Sequence, residues 1–105
     1  GKEIRALRFL ANLMEKDPVM KVNFLKDLKD LLPGLPLRIL KLKVLPPLVR
    51  ELSDDRMVRF ALPLLLGSLN RLEPAEYEAL LLPTISSLMQ RIDMPQILQL
   101  LVGSL

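Results

Sequence analysis

The 105-residue sequence contains no cysteine, no histidine and no tryptophan. Without cysteine there is no disulfide framework, and without cysteine or histidine a zinc site is close to excluded. The same two absences exclude nucleophilic catalysis by Ser-His-Asp or Cys-His groups. Only four glycines occur, and none lies in a glycine-rich phosphate-binding motif. We therefore expect no catalytic, metal or cofactor site, and the sequence predicts a protein that is not an enzyme.

Aromatic residues and long apolar runs are also scarce. Three phenylalanines and one tyrosine occur, so no aromatic side chains interleave with the basic residues as base stacking would require. The longest uncharged stretches are too short to span a bilayer. No segment resembles a signal peptide. The sequence thus predicts a soluble, cytoplasmic protein with no transmembrane segment, associated with membranes only peripherally and through partners.

An internal repeat is the strongest positive feature. The segment 44–52 recurs 37 residues later as segment 81–89, so that Leu45-Pro46 matches Leu82-Pro83. Half of the residues are apolar, with leucine dominant, and β-branched and aromatic residues are few, which favours helix over strand. A repeat of this length with two amphipathic segments per unit is typical of stacked helical hairpins. The predicted fold class is all-α, an α-solenoid of about three helical hairpins.

Turn and cap signals divide the chain into six predicted helices, paired as hairpins 2–32, 36–71 and 74–105. Asp17-Pro18 predicts an N-cap followed by proline at the first helical position. The fourth helix follows Ser53, its predicted cap, and Asp93 with Gln96 forms a capping-box pattern before the sixth. Because no polar unit closes the last apolar run, we expect residues 1–105 to be a fragment of a longer solenoid.

Three proline sites lie inside predicted helices, one of them Pro63, which interrupts the fourth. The Pro46-Pro47 pair predicts a sharp kink in the third helix, or a short break after which the prolines open a second piece. Pro83 predicts a gentler bend in the fifth helix. Such bends allow one helix to wrap around its neighbours.

The net charge of +3 is divided unevenly along the chain. Residues 1–50 hold 11 basic and 5 acidic residues, a balance of +6, whereas residues 51–105 hold 4 and 7, a balance of −3. This polarity favours an anionic partner at the N-terminal end, or else reflects solvated outer helix faces. Phosphate contacts with RNA would use a patch where the second and third helices approach. Its residues would be Lys21, Lys26, Lys29, Arg38, Lys41 and Lys43.

A short motif in the fourth helix resembles the second-helix motif of HEAT repeats. Asp54-Asp55 is followed by Val58-Arg59-Phe60-Ala61. In HEAT repeats the Asp and Arg of this motif tie neighbouring units together. The alternative is that Arg59 is simply exposed.

A wider resemblance covers nearly the whole chain. The segments 24–28, 32–38, 44–48 and 95–98, in this order and spacing, resemble the HEAT-repeat region of the SCY-like pseudokinases. That family joins a kinase-like domain to a HEAT stack and a tail, and acts in vesicle traffic with clathrin and COPI coats; some relatives assist tRNA export. The resemblance implies a non-catalytic protein-interaction scaffold, cytoplasmic and at Golgi or endosomal coated vesicles.

The expected binding surface is the groove lined by the second helix of each hairpin, because solenoids present such extended surfaces. Its exposed candidate residues for binding coat or adaptor proteins are Lys21, Lys26, Lys29, Arg56 and Arg59. An alternative function is a tRNA-export or RNA-associated HEAT factor that uses the basic N-terminal half. A third is a purely structural spacer.

Overall fold

The computed structural model describes residues 1–91 together with residues 93, 95, 96 and 99. This part of the chain is helical and contains no strand, which confirms the all-α prediction there. The α-helices are α1 (Lys2–Ala11), α2 (Pro18–Leu31), α3 (Leu37–Ile39), α4 (Leu45–Glu51), α5 (Asp55–Gly67), α6 (Pro74–Leu80) and α7 (Leu82–Arg91).

The sixth predicted helix falls mostly outside the described residues. Its predicted capping box is nevertheless present, because the Asp93 N–H donates to Gln96 Oε1 at 3.1 Å and the Gln96 N–H donates to Asp93 Oδ1 at 3.0 Å. The 37-residue repeat would continue by matching Phe60-Ala61 to Ile97-Leu98 and Leu64-Leu65 to Leu101-Val102, and these four later positions lie outside the described residues.

Three of the long helices end in a short 3₁₀ turn. These turns are Leu13–Glu15 after α1, Leu32–Gly34 after α2 and Leu69–Arg71 after α5. The tighter hydrogen bonding of a 3₁₀ turn satisfies carbonyl groups that the end of an α-helix leaves without partners. No residue in the described part of the chain has a positive φ, so these helix ends close without a left-handed cap.

The Pro46-Pro47 pair divides the third predicted helix in an unexpected way. The residues Leu40–Val44 form a π-helical segment between α3 and α4, and α4 begins at Leu45 with the prolines in its first turn. Proline is tolerated there because the first N–H groups of a helix have no intrahelical partner. The prolines thus open a second piece as predicted. The joint, however, is a wider helical turn rather than a non-helical break.

The fifth predicted helix is divided two residues before its proline. Leu81 separates α6 from α7 with φ −102° and ψ −36°, and Pro83 lies in the first turn of α7. Hydrogen bonds continue across the joint, from the Leu81 N–H to the Tyr77 carbonyl at 2.7 Å and from the Ile85 N–H to the Leu81 carbonyl at 2.8 Å. A local distortion with continuous bonding agrees with the gentle bend predicted for Pro83.

Aspartate caps hold the starts of α2 and α5, two helices that pack against each other. Asp17 Oδ1 accepts from the Met20 N–H at 2.9 Å and caps α2, as predicted. The predicted Ser53 cap of α5 is wrong, because Asp54 is the N-cap and accepts from the Arg56 N–H at 3.0 Å. The Ser53 hydroxyl instead donates back to the Arg50 carbonyl at 2.8 Å, so it closes the end of α4.

A single leucine-rich core fills the space between the helices. The helix α2 packs against α5, α5 packs against α4, and α1 packs against the π-helical segment. The largest fully buried side chains are Leu10, Leu13, Leu25, Leu28, Leu40, Leu45, Leu48, Leu52, Met57, Leu65, Leu81 and Leu88. Burial of leucine provides the dominant favourable term, about 1.5–3 kcal/mol for each fully buried side chain.

Equivalent helices of the first two predicted hairpins run in the same direction. The 3₁₀ turn that ends α1 contacts α4, while α1 itself contacts the π-helical segment that precedes α4. The chain end of α2 lies beside the chain end of α5, because Arg71 reaches the carbonyls of Leu32 and Leu35. In hairpins 2–32 and 36–71 the first helices therefore lie side by side, and so do the second helices.

Two arginines, which we call the arginine ties, cross-link the ends of equivalent helices. The Arg71 guanidinium donates to the Leu32 carbonyl at 3.0 Å and to the Leu35 carbonyl at 2.6 Å. The Arg91 guanidinium, at the end of α7, donates to the carbonyls of Leu52 and Ser53 at the end of α4. These bonds span 36 to 39 residues, close to the 37-residue repeat in the sequence. A cation at a helix C-terminus is favoured by the helix dipole as well.

Candidate interaction surface

Lys21 does not lie on an exposed surface, contrary to the sequence-based expectation. It is buried in α2, and its Nζ lies 2.8 Å from Oε1 of Glu51, the last residue of α4. The exposed fractions of the two side chains are 10% and 3%. A buried charge requires a partner of opposite sign, so Lys21 is held inside the fold by Glu51 and is unsuited to meet a partner protein.

Arg56 is exposed but is engaged with a residue of its own helix start. Its Nε and Nη2 donate to the two carboxylate oxygens of Asp54 at 3.1 and 3.0 Å, a two-pronged arrangement. These side-chain bonds, together with the bond from the Arg56 N–H, lower the pKa of Asp54 below its ordinary value. Asp54 therefore fixes the start of α5 and the orientation of Arg56 together.

The remaining candidates, Lys26, Lys29 and Arg59, are exposed as Arg56 is. Lys26 and Lys29 lie three residues apart on α2, and Arg56 and Arg59 lie three residues apart on α5. Residues at this spacing share one helix face. The guanidinium of Arg59 lies 5.3 Å from the ring centroid of Phe60, which holds this side chain against the helix. We call these four residues the basic face, carried by two helices that pack side by side.

The other basic residues of the N-terminal half are only partly available. Lys41 forms an ion pair with Glu76, and the side-chain bond from Lys41, with the backbone bond from Glu73, lowers the pKa of Glu76. Arg38 and Lys43 are exposed. With Lys21 paired to Glu51, two of the six basic residues that the RNA alternative would use are occupied by acidic partners.

The aspartate of the HEAT-like motif bonds to a residue about one repeat away, but the arginine of that bond is Arg91 and not Arg59 of the motif. Asp55 Oδ1 accepts from Arg91 Nη1 at 2.8 Å, whereas Asp54 pairs with Arg56 and Arg59 is exposed. The sequence contained a signal for the cross-links made by Arg71 and Arg91, since each of these arginines ends a predicted helix. It was missed because a basic residue in the last turn of a helix is usually explained by the helix dipole alone.

Neither a metal centre nor a membrane-spanning helix is found in the described part of the chain. No three acidic side chains among those residues come together as metal ligands would. No helix there combines the length and the apolar character needed to cross a bilayer.

Comparison with known proteins gives a consistent set of relatives. The chain is 33% identical over 92 residues to SCY1-like protein 2 of Homo sapiens, and equally to that of Mus musculus. The chain is similar in sequence to SCY1-like proteins. It is also 43% identical over 63 residues to the protein kinase domain-containing protein ppk32 of Schizosaccharomyces pombe. No protein-family model matches the chain, and no solved structure matches it.

The matches cover most of this chain but little of each relative. They span 88% of the chain and 10% of each SCY1-like protein 2, and 60% of the chain and 8% of the yeast protein. The chain therefore corresponds to about a tenth of the length of its mammalian relatives. The similarity supports the family resemblance predicted from the sequence, while the HEAT-repeat assignment stays a prediction.

Proposed function

We propose that this chain is a HEAT-like helical stack of a SCY1-like pseudokinase and acts as a non-catalytic protein-interaction scaffold. The observation that carries the proposal is the pair of arginine ties. Each links the end of one helix to the end of its counterpart one repeat earlier. Such ties fix the rotation between successive hairpins. A scaffold needs this fixed rotation in order to present a constant surface.

The packing of the layers supports the solenoid part of the proposal. In a solenoid each unit contacts only its neighbours, and equivalent helices of adjacent units pack in parallel. The contacts of α2 with α5, and of α1 with the π-helical segment, follow this rule. The π-helical segment allows the third predicted helix to curve around the core while keeping Leu40 and Val44 fully buried.

The cellular role follows from the family resemblance. The scaffold would act in vesicle traffic, recruiting clathrin or COPI coat proteins or their adaptors, in the cytoplasm and at Golgi or endosomal coated vesicles. Its attachment to membranes would be peripheral, through those partners. The basic face offers exposed cations on two adjacent helices, which would meet an acidic segment of a coat or adaptor protein.

Charge reversal of the basic face tests the proposal. The variant Lys26→Glu, Lys29→Glu, Arg59→Glu leaves the Asp54–Arg56 cap intact, so it changes the surface without disturbing the start of α5. We expect recovery of purified clathrin, clathrin adaptors and coatomer on the immobilised chain to fall at least tenfold, as about 1.4 kcal/mol of lost binding would produce.

A matched control carries the same change of charge elsewhere. It replaces Arg38, Lys43 and Arg50, which are exposed and lie outside α2 and α5, with glutamate. We expect this control to recover partners as the unmodified chain does. Equal recovery by both variants, with helical circular dichroism unchanged, would remove the basic face from the proposal.

A further inference from the structure

A groove of about 530 Å³ lies between α1 and α2, on residues that the proposed basic face does not use. Its lining residues are Lys2, Arg5, Ala6, Phe9, Phe24, Asp27, Asp30 and Leu31. The volume is within the range of pockets that hold bulky side chains or small ligands. The groove is partly open to solvent, so an occupant can reach its lining from outside.

Aromatic side chains form the apolar part of the groove. The rings of Phe9 and Phe24 stack with their centroids 4.3 Å apart and their planes 24° apart, and both rings are only partly buried. Two of the three phenylalanines of the chain thus meet at one exposed site. Stacked aromatic rings offer large apolar area at low entropic cost, which is the usual composition of a binding anchor.

Charges of opposite sign face each other across the same groove. Lys2 and Arg5 line it from α1, and Asp27 and Asp30 line it from α2. All four side chains are exposed, and none of the ion pairs found in the described part of the chain involves them. One wall is therefore cationic, the other is anionic, and the floor between them is apolar.

We propose that this α1–α2 groove binds an amphipathic helix of a partner protein, oriented by its charges. The partner helix places its apolar stripe on Phe9 and Phe24, an acidic flank along α1 and a basic flank along α2. Two opposite walls with an apolar floor match the three faces of such a helix. A nucleic acid or an anionic lipid surface fits poorly, because Asp27 and Asp30 would repel its phosphates.

A displayed library of helical peptides tests the orientation directly. Each peptide carries a fixed leucine stripe, and its two flanks are randomised among acidic, basic and neutral residues. Selection on the chain should enrich peptides with acids on one flank and bases on the other. Synthetic versions of the enriched peptides should lose at least tenfold in affinity, measured by fluorescence anisotropy, when their flanks are exchanged.

A charge-exchanged protein supplies the matched control. The variant Lys2→Glu, Arg5→Glu, Asp27→Lys, Asp30→Lys keeps the net charge, and all four positions are exposed, so the fold should persist. Selection on this variant should favour the opposite flank order. The proposal is overturned if no peptide enriches, if the flanks stay random, or if both proteins select the same order.

A second copy of the chain is the other occupant to be separated by experiment. Sedimentation of the chain alone should show one monomeric species at all concentrations. A dimer that the single-wall variant Lys2→Glu, Arg5→Glu abolishes, because both walls of the groove are then acidic, would show that the groove is a self-association site and would overturn the assignment to a partner helix.

Discussion

Loss of the Arg71 tie should destabilise the whole fold, although Arg71 lies outside the core. Its two bonds end on the carbonyls of Leu32 and Leu35, whose residues are 8% and 3% exposed. Truncation to alanine removes the Arg71 donor from both carbonyls, and the Leu32 carbonyl then keeps only the bond from the Leu35 N–H, at 3.2 Å. A hydrogen bond to a charged group contributes about 1.5–3 kcal/mol. Water can reach the partly exposed guanidinium, so we expect about 2–3 kcal/mol for both bonds together.

Urea unfolding followed by circular dichroism measures this loss. With a slope of about 1–3 kcal/mol per molar urea, Arg71→Ala should lower the midpoint by roughly 1 M. Arg71→Lys retains the charge, but one ammonium group does not reproduce the two-pronged geometry, so it should recover less than half of the loss.

Arg50→Ala is the matched control, because Arg50 is an exposed arginine in the last turn of α4. It should change stability by at most about 0.5 kcal/mol. If Arg71→Ala and Arg50→Ala shift the midpoint equally, or if Arg71→Lys is as stable as the unmodified chain, the tie contributes no specific stability and the reasoning is refuted.

Three further predictions concern charged groups. Glu51→Ala should lower the free energy of unfolding by about 3 kcal/mol, because it leaves Lys21 buried without a partner. The joint change Lys21→Met with Glu51→Leu should recover most of this loss. An unchanged urea midpoint for Glu51→Ala would contradict the prediction. Because Arg56 lowers the pKa of Asp54, this carboxylate stabilises the fold above the unfolded-state pKa, 3.8, and the contribution is lost as pH falls through the lower folded value. Asp54→Asn keeps a capping side chain, so its urea midpoint should fall less than that of the unmodified chain in that acidic window; parallel pH profiles would argue against the ion pair. Filter binding to tRNA at low salt should show no retention, and an affinity that falls steeply towards physiological salt would instead favour the RNA alternative.

The helical class, most helix boundaries and several caps were predictable from local patterns. Asp17-Pro18 starts α2 as predicted, because a cap and a first-turn proline act through backbone groups only a few residues away. The capping box predicted for Asp93 and Gln96 is present for the same reason. Ser53 failed as a cap because Asp54, one residue later, offers a carboxylate to the same free N–H groups.

Local sequence patterns could not predict which of the candidate site residues are exposed. Lys21 and Lys29 both occupy α2 and carry the same charge, yet one is buried and the other exposed. The difference arises because Glu51, 30 positions along the chain from Lys21, is brought beside it by the packing of α4. Helical periodicity places a lysine on a face, but a charge on that face is buried only when a distant element supplies its partner.

The sequence by itself determined that the chain is helical, where most helices begin and end, and the 37-residue rhythm of its leucines and prolines. These properties depend on propensities, caps and periodicity, which act over one or two helical turns. Only the tertiary structure decided that Arg71 and Arg91 join successive pairs, that Lys21 is buried, and that Phe9 and Phe24 meet at an exposed groove. Each of these depends on contacts between separate helices, and their positions are fixed only when the shared core has formed.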